Sequence, residues 1–342
     1  MLDDLVYIHE KDGQDALGIA EKQWQQLAYE FDIPNLEFQP ENIIFAGMGG
    51  SALAAQLVLV WPSVRIPFVI SRDYQVPAFI SDKTVFIASS YSGNTEETLS
   101  ALEQAEAAGA YIVVIAAGGK LVEIAHKKNY PLALLPRVSQ PRYAALYSFK
   151  AIVTILARLQ LVDNEGVMKS IEEASQMLQS ATANWRPDVA TNKNIAKQLA
   201  LEVIGKSVVM YGGPLTYPAA YKWKISFNEN AKNVAWVNQY PEFNHNEFIG
   251  WTSHPRDKMY AVIDLRSSFE HAQVQKRFEV SARLLSGRRP APHVVQAEGD
   301  TVLEQLLWLI ALGDFVSLYT ALLNGLNPTP IDLIEKLKKE LA

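Results

Sequence analysis

Hydroxyl side chains crowd the segment from Ser90 to Thr95, which reads Ser-Tyr-Ser-Gly-Asn-Thr. The segment follows the apolar run 84–88 and directly precedes a stretch with helical character, 96–108. A helix that begins after such a loop directs unpaired N–H groups and the positive end of its dipole back toward the loop, and this arrangement binds phosphate. The loop contains neither a P-loop lysine nor a Gly-x-Gly-x-x-Gly pattern, which favours a small phosphorylated molecule over a nucleotide.

A second candidate ligand loop is the turn Gly47-Met-Gly-Gly-Ser51, which follows the apolar run 42–46 and opens another helical segment. Glycines permit positive φ and close approach of a ligand to the backbone, although a plain tight turn is the alternative. Adjacent parallel strands would bring this turn and the loop 90–95 to one carboxyl edge of a sheet, where ligands of open α/β sheets bind. The predicted phosphate-binding residues are Gly49, Gly50, Ser51, Ser90, Ser92 and Thr95.

Two candidate acid–base groups lie in the second half of the chain. Glu229 sits in Asn-Glu-Asn-Ala-Lys after the apolar residues Ile225 and Phe227, where a carboxylate could act as a base. The alternative for an isolated glutamate is a solvated helix face. His245 lies in the polar loop Asn-His-Asn-Glu between aromatic residues, and a structural role is its alternative. No second histidine stands at metal-ligand spacing from it, so we expect no metal site.

Two cations complete the candidate set. Arg142 follows a proline at the end of a predicted strand, where a guanidinium can be held rigidly over an anionic ligand, although an isolated arginine is more often on the surface. In the last helical segment, Ile334, Leu337 and Lys338 share one face at 100° per residue, whereas Lys336 falls on the opposite side. We predict that this face is buried and that Lys338 projects its ammonium into a site. Lys336 is the alternative if the register differs.

Composition narrows the class of protein. The chain has 342 residues, 49% hydrophobic and 20% charged, which predicts two globular domains at roughly 150 residues each. The formal net charge is −6 and no cluster of lysine and arginine stands out, so we expect no nucleic-acid partner. Cysteine is absent. The acidic start does not resemble a signal peptide, and Asp314 interrupts the most apolar stretch, 306–323, so we expect a cytoplasmic protein without a membrane partner.

Apolar runs alternate with helical segments in both halves of the chain, which predicts an α/β fold with mainly parallel sheets flanked by helices. The predicted strands are 42–46, 66–70, 85–88, 111–115 and 132–135 in the first half, and 207–211, 234–237, 260–265 and 293–296 in the second. Both halves place a glycine turn between a first strand and a helix, as expected for duplication of one α/β unit. The expected domains are 1–150 and 151–342.

Taken together, these segments resemble the bifunctional phosphoglucose/phosphomannose isomerases, a branch of the sugar isomerase (SIS) domain superfamily. The matching segments are 47–51, 90–98, 118–121, 140–142, 227–232, 244–247, 313–314 and 328–330. The resemblance implies two SIS-type αβα sandwich subdomains, the first carrying the phosphate-binding loops and the second the catalytic groups. The sequence departs from the family pattern at Ala117, where a hydroxyl residue is usual, and at Lys222, where an arginine is usual.

The same resemblance implies a metal-independent aldose–ketose isomerase that interconverts glucose 6-phosphate or mannose 6-phosphate with fructose 6-phosphate through a cis-enediolate. Glu229 would move a proton between C2 and C1, and His245, donated by the partner subunit of a homodimer, would assist ring opening. Arg142 and Lys338 would stabilise the enediolate, and no cofactor would be needed. The alternatives are a non-catalytic SIS sensor of sugar phosphates and another SIS phosphosugar isomerase.

Overall fold

The computed structural model describes residues 1–252 and 259–341, except for the side chains of residues 338, 339 and 341. The strands are β1 (Asn42–Ala46), β2 (Phe68–Ser71), β3 (Thr84–Ser90), β4 (Tyr111–Ala116), β5 (Leu132–Leu134), β6 (Ser207–Gly212), β7 (Ala235–Gln239), β8 (Tyr260–Arg266) and β9 (His293–Gln296). The helices are α1 (Leu5–Lys11), α2 (Ala16–Glu21), α3 (Gly49–Val60), α4 (Glu96–Ala107), α5 (Gly119–Lys128), α6 (Ala145–Arg158), α7 (Asn164–Ala183), α8 (Ile195–Val203), α9 (Tyr217–Glu229), α10 (Glu247–Gly250), α11 (Ala272–Leu284), α12 (Val302–Leu323) and α13 (Asp332–Leu341). Short 3₁₀ turns cover Gln23–Gln26, Pro141–Ala144, Thr191–Lys193 and Glu242–His245.

The chain forms two compact units. The first unit comprises residues 23–176, and the second comprises residues 1–22 together with 177–342. The boundary expected after residue 150 falls inside α6, which packs against α3 and so belongs to the core of the first unit. The change from one unit to the other falls within α7 instead. Apolar periodicity does not reveal which sheet a connecting helix will cover, so the sequence could not locate this boundary.

The first unit is built on a five-stranded parallel sheet in the order β2-β1-β3-β4-β5. Neighbouring strands contribute Ile44, Phe86 and Val114 to one apolar layer, which is completed by Leu102 of α4 and Leu121 of α5. All seven residues of β3 are buried, which accounts for the nearly continuous apolar run of that strand. The predicted α/β class is therefore confirmed.

The second unit repeats this plan with a four-stranded parallel sheet in the order β7-β6-β8-β9. The sub-order β7-β6-β8 corresponds to β2-β1-β3 of the first unit, since in each case the first strand in the chain lies between the next two. Both sheets therefore place two turns, one after each of two adjacent strands, at the carboxyl edge.

The most apolar helix of the protein is α12 in the second unit. It begins with a capping box in which Thr301 and Glu304 each accept the other's backbone N–H. The helix is long and apolar enough to cross a membrane by length and composition, but 94% of its most apolar window is buried inside the fold. Burial on all sides is what a uniformly apolar helix requires at the centre of a globular unit.

Candidate functional site

In the first unit, two helix N-termini meet the carboxyl edge of the sheet without a side-chain cap. Helix α3 follows β1 and α4 follows β3, and these two strands are adjacent and parallel. The residues at the N-cap positions, Met48 and Thr95, make no capping hydrogen bond through their side chains. Apart from the N–H group of Ser51, which donates to the Met48 carbonyl over 3.0 Å, the first-turn N–H groups of both helices thus have no side-chain cap at the edge of the sheet, where the helix dipoles favour an anion.

The predicted hydroxyl cluster is assembled at this edge. The Oγ of Ser90 lies 2.7 Å from Oγ1 of Thr95 and 3.4 Å from Oγ of Ser92. The backbone N–H of Gly93 donates to Ser90 Oγ over 3.1 Å. Ser51 is buried in the first turn of α3, in the turn after the neighbouring strand. Three of the four predicted hydroxyls therefore form one hydrogen-bonded group, and each can turn its proton toward a bound oxygen.

The loop that carries these hydroxyls is locked against the start of α5. Lys120 N–H donates to Asn94 Oδ1 over 3.0 Å, and Leu121 N–H donates to the Gly93 carbonyl over 3.0 Å. Gly93 has a φ of +72°, and a Cβ at this position would lie 1.8 Å from the carbonyl oxygen of Gly118. The loop conformation therefore requires glycine, and the N-terminus of α5 is occupied by the loop itself.

Arg142 lies beside the first turn of α3. It is 3% exposed in the 3₁₀ turn Pro141–Ala144, and a Cβ on Gly50 would lie 3.8 Å from its Cα. One terminal nitrogen donates to Gln140 Oε1 over 3.3 Å, and the guanidinium stacks 4.7 Å from the ring centroid of Tyr143. The backbone of Arg142 therefore lies close to the first turn of α3, and its role in a site stays a prediction.

In the second unit, Glu229 is the last residue of α9 and is half-buried. Helix α9 approaches α12 closely because Gly313 has no side chain: a Cβ there would lie 2.3 Å from the indole ring of Trp223. The indole N–H of Trp223 donates to the Leu309 carbonyl over 2.7 Å. These contacts set the distance between α9 and α12. They therefore help to fix the position of the C-terminal end of α9, where Glu229 lies.

A buried polar row sets the rotation of α9 about its axis. Lys222, Ser226 and Asn230 recur every four residues and face α12. The Lys222 ammonium donates to Asp314 Oδ1 and to Ser226 Oγ, and Ser226 Oγ donates to Asp314 over 2.8 Å. Asn230 Nδ2 donates to Ser317 Oγ over 2.9 Å. Lysine at position 222 thus makes a paired, hydrogen-bonded contact, even though an arginine is usual in the family pattern.

His245 lies on a loop pinned at the residue that precedes it. Asn244 Nδ2 donates to Ser281 Oγ over 2.9 Å, and Asn244 Oδ1 accepts from Arg277 over 3.1 Å. Both partners belong to α11. The imidazole of His245 is exposed and makes no hydrogen bond to any residue that the structure describes. Its orientation is consequently set by the backbone that carries it.

Lys338 lies in α13, but its side chain is outside the described residues. The expectation that its helix face is buried was wrong for the neighbouring residues, because Ile334 and Leu337 are 40% and 58% exposed. Lys336, on the opposite side, forms an exposed i,i+4 pair with Glu340 over 3.8 Å. Helical periodicity reveals which face is apolar, but it does not reveal whether another element covers that face.

One functional feature was missed by the sequence analysis. In the second unit, Glu270 follows β8 and is 5% exposed, and its Oε1 accepts the N–H groups of Leu215 and Thr216 over 2.8 and 3.2 Å. A Cβ on Gly213 would lie 2.3 Å from this carboxylate. Burial raises the pKa of Glu270, while the two N–H bonds act in the opposite direction. The turn that leads into α9 is therefore already occupied by an anion from the chain. The signal was the polar segment after β8, the counterpart of Ser90–Thr95.

Comparison with known proteins gives the family. The model described as the bacterial phospho-glucose isomerase C-terminal SIS domain matches residues 192–341. A bifunctional phosphoglucose/phosphomannose isomerase of Caldicellulosiruptor bescii is 38% identical over 88% of this chain and 90% of its own. A D-glucosamine-6-phosphate 4-epimerase of Sulfolobus acidocaldarius is 32% identical over 71% and 74%.

The solved structures agree in fold. The crystal structure of a glucose-6-phosphate isomerase like protein from Thermus thermophilus has a TM-score of 0.67 and 18% identity, with coverage of 99% of this chain and 98% of that one. This structural similarity, found at low sequence identity, confirms the expected SIS-type fold of the chain. The resemblance of the sequence segments is likewise confirmed by the curated relatives. The chain belongs to the family of bifunctional phosphoglucose/phosphomannose isomerases.

Proposed function

We propose that the protein interconverts glucose 6-phosphate and mannose 6-phosphate with fructose 6-phosphate, without a metal ion. The observation that carries the proposal is the edge of the first unit, where two uncapped helix N-termini, a hydroxyl cluster and Arg142 converge. The name of the relative that is 38% identical supports the choice of substrates. Because the two helix N-termini and the hydroxyl cluster offer neutral donors, they suit the phosphate of a small sugar, and the guanidinium of Arg142 is left for the reacting end of the substrate.

In this proposal the phosphate is held away from the reacting carbons. Its ligands are the backbone N–H groups of Gly49 and Gly50 and the side chains of Ser51, Ser90, Ser92 and Thr95. Binding energy released at the phosphate then fixes the position of C1 and C2, which is how a remote group lowers the barrier of a reaction. The locked loop around Gly93 supports this role, because a fixed loop loses little entropy on binding.

Glu229 is the proposed base. Its carboxylate removes the proton from C2, and the electrons of that C–H bond form the C1–C2 double bond of the cis-enediolate. The electrons of the C1 carbonyl bond move to its oxygen, O1, which carries the negative charge. The proton then returns to C1, and the proton of the C2 hydroxyl passes to O1, which leaves a hydroxyl at C1 and the ketose carbonyl at C2. Acid–base catalysis of this kind contributes about 10²- to 10⁴-fold. Arg142 and Lys338, with Lys336 as the alternative, would stabilise the negative enediolate oxygens.

His245 is the proposed acid–base group for ring opening, supplied to the site of the partner subunit in a homodimer. Two features support this part of the proposal. The imidazole is exposed, and two large apolar side chains on either side of it in the sequence, Trp236 and Ile249, are 58% and 68% exposed. In the proposed homodimer the partner chain would cover these side chains. We also propose a cytoplasmic location, since a charged sugar phosphate does not cross a lipid bilayer unaided.

A second function merits a direct test because one relative of similar identity is named a D-glucosamine-6-phosphate 4-epimerase. Epimerisation at C4 leaves the carbonyl carbon in place, so it yields a C4 epimer and no ketose. The third candidate function is that of a sensor, which binds a sugar phosphate without turnover. A sensor would give no catalytic role to Glu229, although the polar row fixes the helix that carries this residue.

The deciding experiment supplies the purified protein with glucose 6-phosphate, mannose 6-phosphate or glucosamine 6-phosphate in the presence of EDTA. We expect fructose 6-phosphate from the first two sugars and no C4 epimer from the third. Glu229→Gln should lower kcat by about 10²- to 10⁴-fold while substrate still binds. Glu202→Gln, at an exposed position of α8, is the matched control and should leave kcat unchanged. Binding without turnover of either hexose phosphate would overturn the proposal.

A further inference from the structure

Arg289 in the second unit is a buried cation. Its side chain is 7% exposed, and Nε and both terminal nitrogens are buried without a hydrogen bond to any residue that the structure describes. A guanidinium has five N–H donors and is always charged, so burial without partners is costly unless other groups stabilise the charge. Its place in the fold therefore requires an explanation.

Three aromatic rings surround the guanidinium. Its central carbon lies 5.2 Å from the ring centroid of Tyr211, 5.7 Å from that of Phe243 and 5.9 Å from that of Trp251. Cations within about 6 Å of an aromatic centroid are attracted by the ring quadrupole, more strongly when water is excluded. We call Tyr211, Phe243 and Trp251 the aromatic cage. The planar guanidinium is suited to such stacking in a way that an ammonium is not.

Two ionisable groups also face this cation. Asp264 is fully buried, and although burial raises the pKa of its carboxyl group, the charge of Arg289 acts in the opposite direction. Burial likewise raises the pKa of Tyr240 to about 12, again opposed by Arg289. Asp264 is thus a countercharge for Arg289, although its direct ion pair is with Arg266 over 3.3 Å. The three rings and this buried carboxylate together stabilise the charge of Arg289.

Two of the three rings of the aromatic cage, those of Phe243 and Trp251, belong to the segment that carries His245. Phe243 belongs to the same 3₁₀ turn as His245, and Trp251 follows the short helix that begins at Glu247. The Trp251 indole N–H donates to the Tyr211 hydroxyl over 3.1 Å, and that hydroxyl donates to Glu247. Arg289 consequently contacts the residues on both sides of His245, while the imidazole makes no hydrogen bond within the described chain.

We propose that Arg289 is a positioning residue for His245. By stacking on the aromatic cage it fixes residues 243–251 as one piece and thereby sets the direction in which the exposed imidazole points. This inference rests on the proposed role of His245 in ring opening. It goes further because it assigns a function in the reaction to a cation that does not touch the substrate and that the family pattern in the sequence did not reveal.

The test is a double-mutant cycle on kcat with Arg289→Met and His245→Ala. Arg289→Met keeps the length of the side chain and removes its charge and its planar group. We expect kcat for glucose 6-phosphate to fall by about 10- to 100-fold, while KM stays within roughly threefold of its original value. This loss is smaller than the about 10²- to 10⁴-fold contribution of a complete acid–base group, because a misdirected imidazole keeps part of its effect. In the His245→Ala background the same change should cost less than about twofold, because the group it positions is already gone. Equal losses in the two backgrounds would overturn the proposal.

Two controls exclude a merely structural effect. Arg288→Met, at the exposed neighbouring position, should leave kcat unchanged. Thermal unfolding must show that each variant is folded. If Arg289→Met does not fold, Arg289→Lys gives the same test, since it keeps the buried charge and loses the planar stack.

An NMR measurement keeps this inference separate from the proposed function. The imidazole resonance of His245, identified by its loss in His245→Ala, should be a single line in the unmodified protein. It should shift or broaden in Arg289→Met and remain unchanged in Arg288→Met. An identical resonance in Arg289→Met refutes the positioning role even if the protein is an active isomerase. Absence of isomerase turnover with a shifted resonance refutes the proposed function and leaves the contact between Arg289 and the loop established.

Discussion

Replacement of Asp314 by asparagine gives the sharpest test of how α9 is held. Asp314 and Lys222 are 7% and 2% exposed at the side chain, and they form an ion pair between α12 and α9. The change is nearly isosteric and retains an oxygen that can accept from Lys222 and Ser226. It removes only the negative charge. The Lys222 ammonium would then remain buried without a countercharge.

The expected loss follows from this burial. Removing one member of a buried pair costs about 3–5 kcal/mol, because the other charge is left uncompensated in a poorly solvated place. At roughly 2–4 °C per kcal/mol for a unit of about 150–250 residues, the melting temperature of the second unit should fall by about 6–20 °C. Because the pair fixes the rotation of the helix that ends in Glu229, kcat should fall with it.

The assay is urea unfolding followed by tryptophan fluorescence, with thermal unfolding as the second measurement. Asp188→Asn is the matched control, since Asp188 pairs with Arg186 over 2.9 Å at an exposed position of the same unit, and it should cost less than about 1 kcal/mol. The double variant Lys222→Met/Asp314→Leu should recover most of the stability, because an apolar pair of similar volume needs no countercharge. A loss below about 1 kcal/mol for Asp314→Asn would refute the reasoning.

Three further outcomes are expected. Thr95→Val should lower kcat/KM by about 10- to 100-fold, mostly through KM, because a hydrogen bond to a charged phosphate is lost. The melting temperature should fall only slightly, because Thr95 makes no side-chain cap and Ser90 Oγ, which loses Thr95 as a partner, still accepts from the Gly93 N–H. Gly93→Ala should abolish sugar-phosphate binding in a calorimetric titration, because its Cβ would lie 1.8 Å from the Gly118 carbonyl oxygen at a φ of +72°. Burial raises the pKa of Glu270 above its usual value near 4.5, so its contribution to stability is full below that value and is lost as the pH rises through the raised pKa. Glu270→Gln should flatten this decline in thermal unfolding at fixed ionic strength, and an unchanged pH profile would contradict the assignment.

The sequence predicted the strands well because their apolar runs end in recognisable turns. Strands β1 (Asn42–Ala46) and β9 (His293–Gln296) have the predicted bounds, and no boundary of the other strands shifts by more than two residues. The turn after β1 and the hydroxyl loop after β3 were also predictable as the starts of helices, because a glycine turn or hydroxyl loop between a strand and a helix is a local signal, and their binding of phosphate stays a prediction. Features of this kind depend on consecutive residues, so the sequence alone reveals them.

Long-range packing was not predictable. Glu270 reaches the turn at Leu215 across 55 positions, and Arg289 stacks on rings from three separate segments. The polar segment that contains Glu270 marks a turn but not its distant partner, and Arg289 has no neighbours in the sequence that distinguish it from an ordinary surface charge. The burial of the apolar face of α13 was predicted wrongly for a related reason. The sequence pattern identifies the apolar side of the helix, but it does not show whether another element packs against that side. Which distant elements approach one another is decided by the whole fold.

The Glu270 carboxylate has a consequence for the number of ligands that one chain can hold. The strand order β2-β1-β3 recurs as β7-β6-β8, so a duplicated unit would inherit a second cradle for phosphate. That cradle is filled by a side chain of the protein, which acts as a permanent internal ligand. Under the proposed function the two halves are therefore unequal although alike in topology: the first would bind and release the phosphate of each substrate molecule, whereas the second holds a carboxylate of its own chain.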